Sequence, residues 1–262
     1  MPITPLIAYT HVAKTFDGGR VLAVDDVSLE VAEGEFVAIV GGSGSGKTTL
    51  LRLANRLIEA DSGSITVEGE DVRQVDPIQL RRRIGYVFQS GGLFPHLTVA
   101  DNIGITPKLV GAPPAEISAR VDELLDLVRL DRAPYRDRLP HELSGGQRQR
   151  VGVARALAAK PRIVLMDEPF GALDPLTRDA LGDDFRELHR TLGLTTVMIT
   201  HDMTEAILLA DRIAVMGGGR LLAQGTPSEL SDSGDAYVGE LLRTPRRQAE
   251  RLGALLPRDG AA

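Results

Sequence analysis

Gly41, Gly42, Ser43, Gly44, Ser45, Gly46, Lys47 and Thr48 follow the spacing G-x-x-x-x-G-K-[ST]. The run comes after an apolar stretch and opens a helical pattern, the setting in which such a loop holds phosphate. Glycines let successive backbone N–H groups turn inward around phosphate oxygens, and the helix N-terminus adds a favourable dipole. In that chemistry Lys47 reaches the β- and γ-phosphates of a nucleoside triphosphate. Thr48 offers its hydroxyl to Mg²⁺, and Thr49 follows in the same turn. A second group ends the apolar run Ile163-Val164-Leu165-Met166 with two acids, Asp167 and Glu168. In an open α/β sheet, ligands bind at such strand ends. Carboxylates there are costly unless a metal or hydrogen bonds compensate. Asp167 therefore suits a place on or beside Mg²⁺, and Glu168 can polarise a water that attacks the terminal phosphate. A third group, Leu143-Ser144-Gly145-Gly146-Gln147, precedes the helical stripe Val151, Ala154, Leu157 and Ala158. It forms another helix N-terminus suited to an anion. A single chain has no second nucleotide for it. Two chains arranged head to tail would lay each pentapeptide over the other's phosphate loop, closing two equivalent sites by two-fold symmetry.

The elements that must position these groups are legible in the hydrophobic pattern. Val21–Val31 and Phe36–Val40 read as strands separated by the Glu33-Gly34 turn, and Lys47–Ile58 reads as a helix on Leu50, Ala54, Leu57 and Ile58. Asp61-Ser62-Gly63 ends that unit, a strand returns over Ser64–Glu68, and Arg81-Arg82-Arg83 form a solvated helix end before a strand at Ile84–Phe88. From residue 89 to about 160 the pattern turns helical, with an apolar stripe of Ile117, Val121, Leu124, Leu125 and Val128 that reads as core packing. Strands resume at Ile163–Met166, Thr195–Thr200 and Arg212–Met216, with a helix at 176–192 between the first two. Their continuous apolar or β-branched character suits parallel strands buried on both faces. Gly217-Gly218-Gly219 turn the chain into Leu221-Leu222-Ala223. The organisation expected is an α/β domain over residues 1–230, with a helical insertion at about 89–160, and a short tail over 231–262 that reads as a helix with an Arg-rich end.

Composition narrows the function classes. The 262 residues carry 30 Lys plus Arg against 36 Asp plus Glu, a net charge of −6, which argues against nucleic acid as the main partner. With 43% hydrophobic residues a sizeable core is within reach, and the absence of cysteine removes disulfides and thiolate metal sites. Met1-Pro2-Ile3-Thr4-Pro5 does not read as a signal peptide and no run approaches a membrane span, so a cytoplasmic location is expected.

On the loop, the pentapeptide and the acid pair, the chain resembles the ATP-binding subunits of ABC transporters over about residues 5–230. The resemblance implies a RecA-like P-loop core, mostly parallel with an antiparallel β subdomain, and an inserted helical subdomain. It also implies ATP and Mg²⁺ as ligands. Gly41–Thr48 correspond to the Walker A loop, with Gly42 where proline is frequent, and Asp167-Glu168 correspond to Walker B. The resemblance gives Phe16 the place of the adenine-stacking aromatic, where tyrosine is commoner. It gives Gln89 a role on Mg²⁺ and in linking core to insertion. Leu143–Gln147 correspond to the signature that contacts a partner's nucleotide. Gly171-Ala172-Leu173-Asp174 resemble the D-loop, with Gly171 in place of the usual serine, and His201 corresponds to the switch histidine on the γ-phosphate. Glu168, His201 and Lys47 are thus the expected catalytic residues, and Thr48, Gln89 and Asp167 the expected metal-site residues.

Three further runs, Gly91–His96, Pro140–Leu143 and Phe170–Pro175, are similar to those of bacterial importers of quaternary amines such as glycine betaine, choline and carnitine. Many relatives of that kind carry a C-terminal pair of CBS modules, and this sequence is expected to lack them. The partners implied are a second copy of the chain, membrane permease subunits at the cytoplasmic face, and, indirectly, an extracytoplasmic solute-binding protein. Other relatives work in lipid trafficking or export, and non-transport relatives act in translation or DNA repair. Those last classes carry paired cassettes or long coiled coils, which are not seen here. Phe94 and Pro95, next to Gly91-Gly92, read either as an exposed contact for a membrane subunit or as part of the insertion's own core.

Overall fold

The computed structural model describes residues 5–89 and 91–255; the opening Met1–Thr4 and the end of the Arg-rich tail lie outside them. Two long strands, β1 (Ile7–Phe16) and β2 (Val21–Val31), pair antiparallel. β3 (Phe36–Val40) leads through the phosphate loop into α1 (Lys47–Ala54). β4 (Ser62–Val67) and the short β5 (Glu70–Asp71) then return to the side of β1. α2 (Pro77–Arg83) and β6 (Ile84–Val87) precede four helices: α3 (Val99–Leu109), α4 (Pro114–Leu127), α5 (Arg132–Tyr135) and α6 (Gly145–Leu157). β7 (Ile163–Asp167), α7 (Pro175–Leu192), β8 (Thr195–Thr200) and α8 (Met203–Leu209) follow. β9 (Arg212–Gly217), β10 (Arg220–Gly225), α9 (Pro227–Ser231) and α10 (Ala236–Leu255) complete the described chain.

The strands form two sheets. One is four-stranded and antiparallel in the order β2-β1-β4-β5; the other is six-stranded in the order β10-β9-β3-β8-β7-β6, parallel except for the β9–β10 hairpin. The strands read at Val21–Val31 and Phe36–Val40 belong to different sheets. The period-two alternation of the parallel strands explains why both their faces are apolar. Phe36, Ala38, Val40, Val164, Met166 and Met198 face one core, with α6, α7 and the inserted helices. Val37, Ile39, Ile163, Leu165, Val197 and Ile199 face the other, against α1 and the antiparallel sheet. The stripe on α4 packs as expected: Val121, Leu124, Leu125 and Val128 are buried in the first core together with Ile103 of α3 and Val151 of α6.

Two boundaries differ from the sequence reading by more than one residue. The helix expected over Lys47–Ile58 ends at Ala54. The apolar period continues to Ile58, but the chain must turn back towards β4: Asn55 Oδ1 accepts from Leu57 N–H at 3.1 Å, Arg56 takes a φ of 54°, and Leu57 is left exposed. β4 starts at Ser62, two residues earlier than expected, because Gly63 with a φ of 81° lies so close to β1 that a Cβ would stand 2.3 Å from the His11 carbonyl oxygen.

A buried polar side chain organises the start of the helical region. Asn102 of α3 is fully buried and accepts from Phe94 N–H at 2.8 Å. Its amide also lies 3.1 Å, 3.0 Å and 2.9 Å from the carbonyls of Phe94, Leu97 and Thr98. One side chain thus meets four backbone groups of the segment that presents Phe94, which is 42% exposed. Phe94 is therefore not sequestered in the insertion's core. Replacing Asn102 by leucine takes the partner from Phe94 N–H and from the Leu97 carbonyl, while the Phe94 and Thr98 carbonyls keep Leu97 N–H and Asn102 N–H; each unpaired buried group costs about 1–3 kcal/mol. The Asn102→Leu variant should lose about 2–4 kcal/mol of stability in urea unfolding. An unchanged midpoint would contradict this account of the segment.

Candidate active site

β3, β8, β7 and β6 run parallel, so the residues that leave their C-terminal ends meet along one edge of the sheet. The phosphate loop leaves β3, Gln89 lies two residues beyond β6, Asp167 ends β7 and Glu168 follows it, and His201 follows β8. Groups scattered over 160 positions of sequence, Gly41 to His201, are gathered in this way.

The loop is shaped by close backbone approach. Gly46 has a φ of 96°, and a Cβ there would stand 2.0 Å from the Ala23 carbonyl oxygen of β2; at Gly41 a Cβ would stand 2.2 Å from that of Met216 in β9. No side chain caps α1, although Asp76, Thr98, Ser144, Asp174, Asp202 and Thr226 cap α2, α3, α6, α7, α8 and α9. The first i→i−4 bond of α1 is Leu50 N–H to Gly46 C=O, so the amides of Lys47, Thr48 and Thr49 precede the helical ladder. This N-terminus is arranged to take an anion. Lys47 is buried, and its ammonium donates to the Gly41 and Gly42 carbonyls at 2.8 Å and 2.9 Å. Burial holds its pKa below the ordinary lysine value, against the charges of Glu168 and Asp167, which raise it. Gly42, Ser43 and Gly44 are exposed at the loop's mouth, whereas Ser45 is buried.

Asp167 is joined to the loop: Thr48 Oγ1 donates to its carboxylate at 3.2 Å. Tyr86 of β6 donates to the same carboxylate at 3.2 Å, and Arg52 of α1 reaches it at 3.4 Å. Burial, and then the charge of Asp167, push the Tyr86 phenol up to about 12. The pattern of single strands and helices gave no sign of Tyr86 or Arg52. Glu168 takes a φ of 46°, in the left-handed region that a non-glycine residue enters at a cost. Its N–H donates to Ile199 C=O at 3.0 Å, which fixes the backbone while the chain turns. The Glu168 carboxylate then receives Gln89 Nε2 at 3.3 Å and lies 3.1 Å from His201 Nδ1, all on the one oxygen Oε2. Thr48, Asp167 and Gln89 carry hard oxygen donors of the kind Mg²⁺ takes. Among the described residues no cluster of three or more His, Cys, Asp or Glu forms an all-protein cage.

Other expected residues lie apart from this edge. Ser144 caps α6, accepting from Gln147 N–H at 3.2 Å, while Gln147 Oε1 accepts from Ser144 N–H at 2.9 Å. The Gln147 amide also donates to Tyr135 at 2.9 Å, so both ends of its side chain hold the helix start in shape. Gly146 packs where a Cβ would stand 2.5 Å from Thr177 Cγ2 of α7, and Gly145 faces Leu173. The hydrogen bonds of the Ser144 and Gln147 side chains stay within residues 135–147, away from the phosphate loop. Asp174 caps α7 through Thr177, whose hydrogen bonds hold its carboxyl below the usual range. Phe16 ends β1, partly exposed, with the Lys14 ammonium 5.5 Å from its ring centre. It pairs with Val21, two residues before the Ala23 that touches the loop.

The segment after Gln89 is held from α6. Arg155, buried, donates to the Gly92 and Gly91 carbonyls at 2.7 Å and 2.9 Å, and Gln149 donates to Phe88 C=O at 3.1 Å. Burial lowers the Arg155 pKa. Beside Phe94 and Phe88 a cleft of about 650 Å³ opens, lined also by Arg81, Ile105, Leu109 and Arg155.

Residues 24–171 match the ABC transporter family. The chain is 50% identical over 243 residues to the choline transport ATP-binding protein OpuBA of Bacillus subtilis, which covers 92% of this chain and 63% of that protein. It is 51% identical over 222 residues to the glycine betaine uptake system ATP-binding protein YehX of Escherichia coli, covering 85% of this chain and 71% of that one. The chain thus spans 63% of the length of the first of these relatives. Among solved structures, the dimeric post-hydrolysis state of the ATP-binding cassette MJ0796 bound to ADP and Pi aligns with a TM-score of 0.76 at 32% identity, over 84% of this chain and 98% of that one.

Proposed function

The chain belongs to the ABC transporter family, and from that premise we propose that it is the ATP-hydrolysing subunit that drives an importer of quaternary-amine osmoprotectants. The observation that carries the hydrolytic part is the Glu168 carboxylate, met on one oxygen by Gln89 and His201 beside a loop built for phosphate. In this reading the amides of Gly44–Thr49 and the Lys47 ammonium bind the β- and γ-phosphates, and Phe16 stacks on the base. Thr48, Asp167 and Gln89 would hold Mg²⁺, which would supply charge neutralisation on the phosphates. Glu168 orients and deprotonates the attacking water, and His201 steadies the γ-phosphate. Phosphoryl transfer of this kind rests on positioning and charge stabilisation. Ser144, Gly145 and Gly146 offer a capped helix N-terminus to the nucleotide of a second copy, with Gln147 and Asp174 shaping the surfaces that meet. The dimeric cassette among the solved neighbours supports that assembly.

The exposed Phe94 and the cleft beside it fit a membrane subunit at the cytoplasmic face, because an exposed apolar knob over a groove is a contact waiting to be covered. No described helix is long and apolar enough to cross a membrane; in this reading partner permeases supply the membrane path. The solute is assigned by kinship with OpuBA and YehX and would be captured by an external binding protein.

Two outcomes test this reading. Glu168→Gln should retain ATP binding while phosphate release falls on the order of 10²-fold or more, within the range for removing a positioned base. Normal turnover in the purified variant would remove Glu168 from the mechanism. A strain deleted for the gene should lose uptake of labelled glycine betaine or choline and regain it with the wild-type gene. If both are taken up as before, and an unrelated solute such as sulfate is not, the solute assignment fails while the ATPase assignment stands.

A further inference from the structure

Helix α10 reaches back to the phosphate loop. The Tyr237 hydroxyl accepts from Gly42 N–H at 2.8 Å, across 195 positions of sequence. We propose that Tyr237 is a positioning residue of the nucleotide site, and that α10 is coupled through it to nucleotide binding; the inference rests on the nucleotide-binding reading above.

The phosphate loop has little rigidity of its own at its start. Gly41 and Gly42 are adjacent glycines, the pair with the greatest backbone freedom, at the point where β3 becomes the loop. Gly42 is nonetheless held on both sides of its Cα. Its carbonyl accepts from Lys47 Nζ at 2.9 Å and Ser45 N–H at 3.2 Å, and its N–H is held by Tyr237. The first two restraints come from inside the loop, whereas the third is supplied by α10. Tyr237 is itself well fixed, although 39% exposed. Asp235 caps the start of α10 by accepting from Tyr237 N–H at 2.8 Å and Val238 N–H at 3.0 Å. Val238 is fully buried in the main core, against which Leu241 and Leu242 also pack. An anchored phenol oxygen therefore pre-orders a flexible peptide whose carbonyl holds the phosphate-binding lysine. Pre-ordering of a site lowers the cost of binding. Linkage requires the converse, that nucleotide strengthens the seating of α10.

The test is a double-mutant cycle on nucleotide affinity, read with a fluorescent ATP analogue and Mg²⁺ on the full chain. Tyr237→Phe keeps the ring and removes the acceptor. Gly42→Pro removes the donor, and Gly42 already has a φ of the sign proline requires. Tyr237→Phe should weaken binding about three- to tenfold, the scale of one net hydrogen bond, and should change it little once Gly42→Pro has removed the donor. The double variant should be no weaker than the worse single. In parallel, nucleotide should slow amide exchange within Ala236–Leu255 in the wild type and not in Tyr237→Phe, a response that a purely structural tyrosine would not produce. Unchanged affinity in Tyr237→Phe overturns the proposal, as does an undiminished Tyr237→Phe effect in the Gly42→Pro background. Should Gly42→Pro fail to fold, equal slowing of exchange in wild type and Tyr237→Phe overturns it. A wild-type chain that binds no nucleotide would instead overturn the functional reading, and this inference with it.

Discussion

Parallel pairing of β3, β8, β7 and β6 is the constraint on which the site depends. With Val40 opposite Thr200, Asp167 opposite Ile199 and Val87 opposite Met166, the strands finish level with one another. The chain must then turn in four places along one edge. Each turn releases backbone groups and side chains that the sheet no longer uses, and these are the phosphate loop, Gln89, Glu168 and His201. Because the strands are buried on both faces, a one-residue slip would drive apolar side chains from one core into the other. The core thus fixes the register, and the register fixes the distances among the polar groups. The positive φ of Glu168 is the local cost of turning while its N–H stays in the ladder with Ile199.

Helix N-termini supply the second layer of organisation. Ser144 closes α6 with a reciprocal cap and Asp174 closes α7, whereas α1 has a left-handed glycine at its start and no side chain across it. The dipole of α1 is therefore available to phosphate, and the start of α6 presents Ser144 and Gly145 at an exposed surface, with Gly146 buried behind them against α7. In the proposed mechanism these two termini face one γ-phosphate from two chains. A carboxylate between them, Glu168, would then act in a space closed by a partner.

The parts of this arrangement written contiguously were legible in the sequence. G-x-x-x-x-G-K-T needs its glycines within one turn, and Asp167-Glu168 needs only a preceding apolar strand, so spacing alone identifies both. The five parallel strands of the α/β core were likewise readable, because burial on both faces leaves largely apolar or β-branched runs. What was hidden depends on contacts between distant elements. Asn102, Gln149 and Arg155 look like ordinary polar residues of amphipathic helices, yet they hold the backbone on either side of Gln89. Tyr86 and Arg52 meet Asp167 only after β6 and α1 have been brought beside β7. The end of α1 was misread because Leu57 and Ile58 continue the helical period while the turn is dictated by Asn55 and the path to β4. No local pattern could link Tyr237 to Gly42, since the link exists only when α10 is docked.

The central claim is that a working site is assembled from the phosphate loop of one chain and the Ser144–Gly146 helix start of another. Mixing two purified defective variants, Lys47→Ala and Ser144→Arg, tests it most directly. A mixed dimer pairs one doubly damaged site with one intact site. ATP hydrolysis in an equimolar mixture should therefore rise to about a quarter of the wild-type rate, since half the dimers are mixed and each has one whole site of two. If the mixture hydrolyses ATP no faster than the mean of the two variants alone, while both remain folded and able to associate, the composite site is refuted.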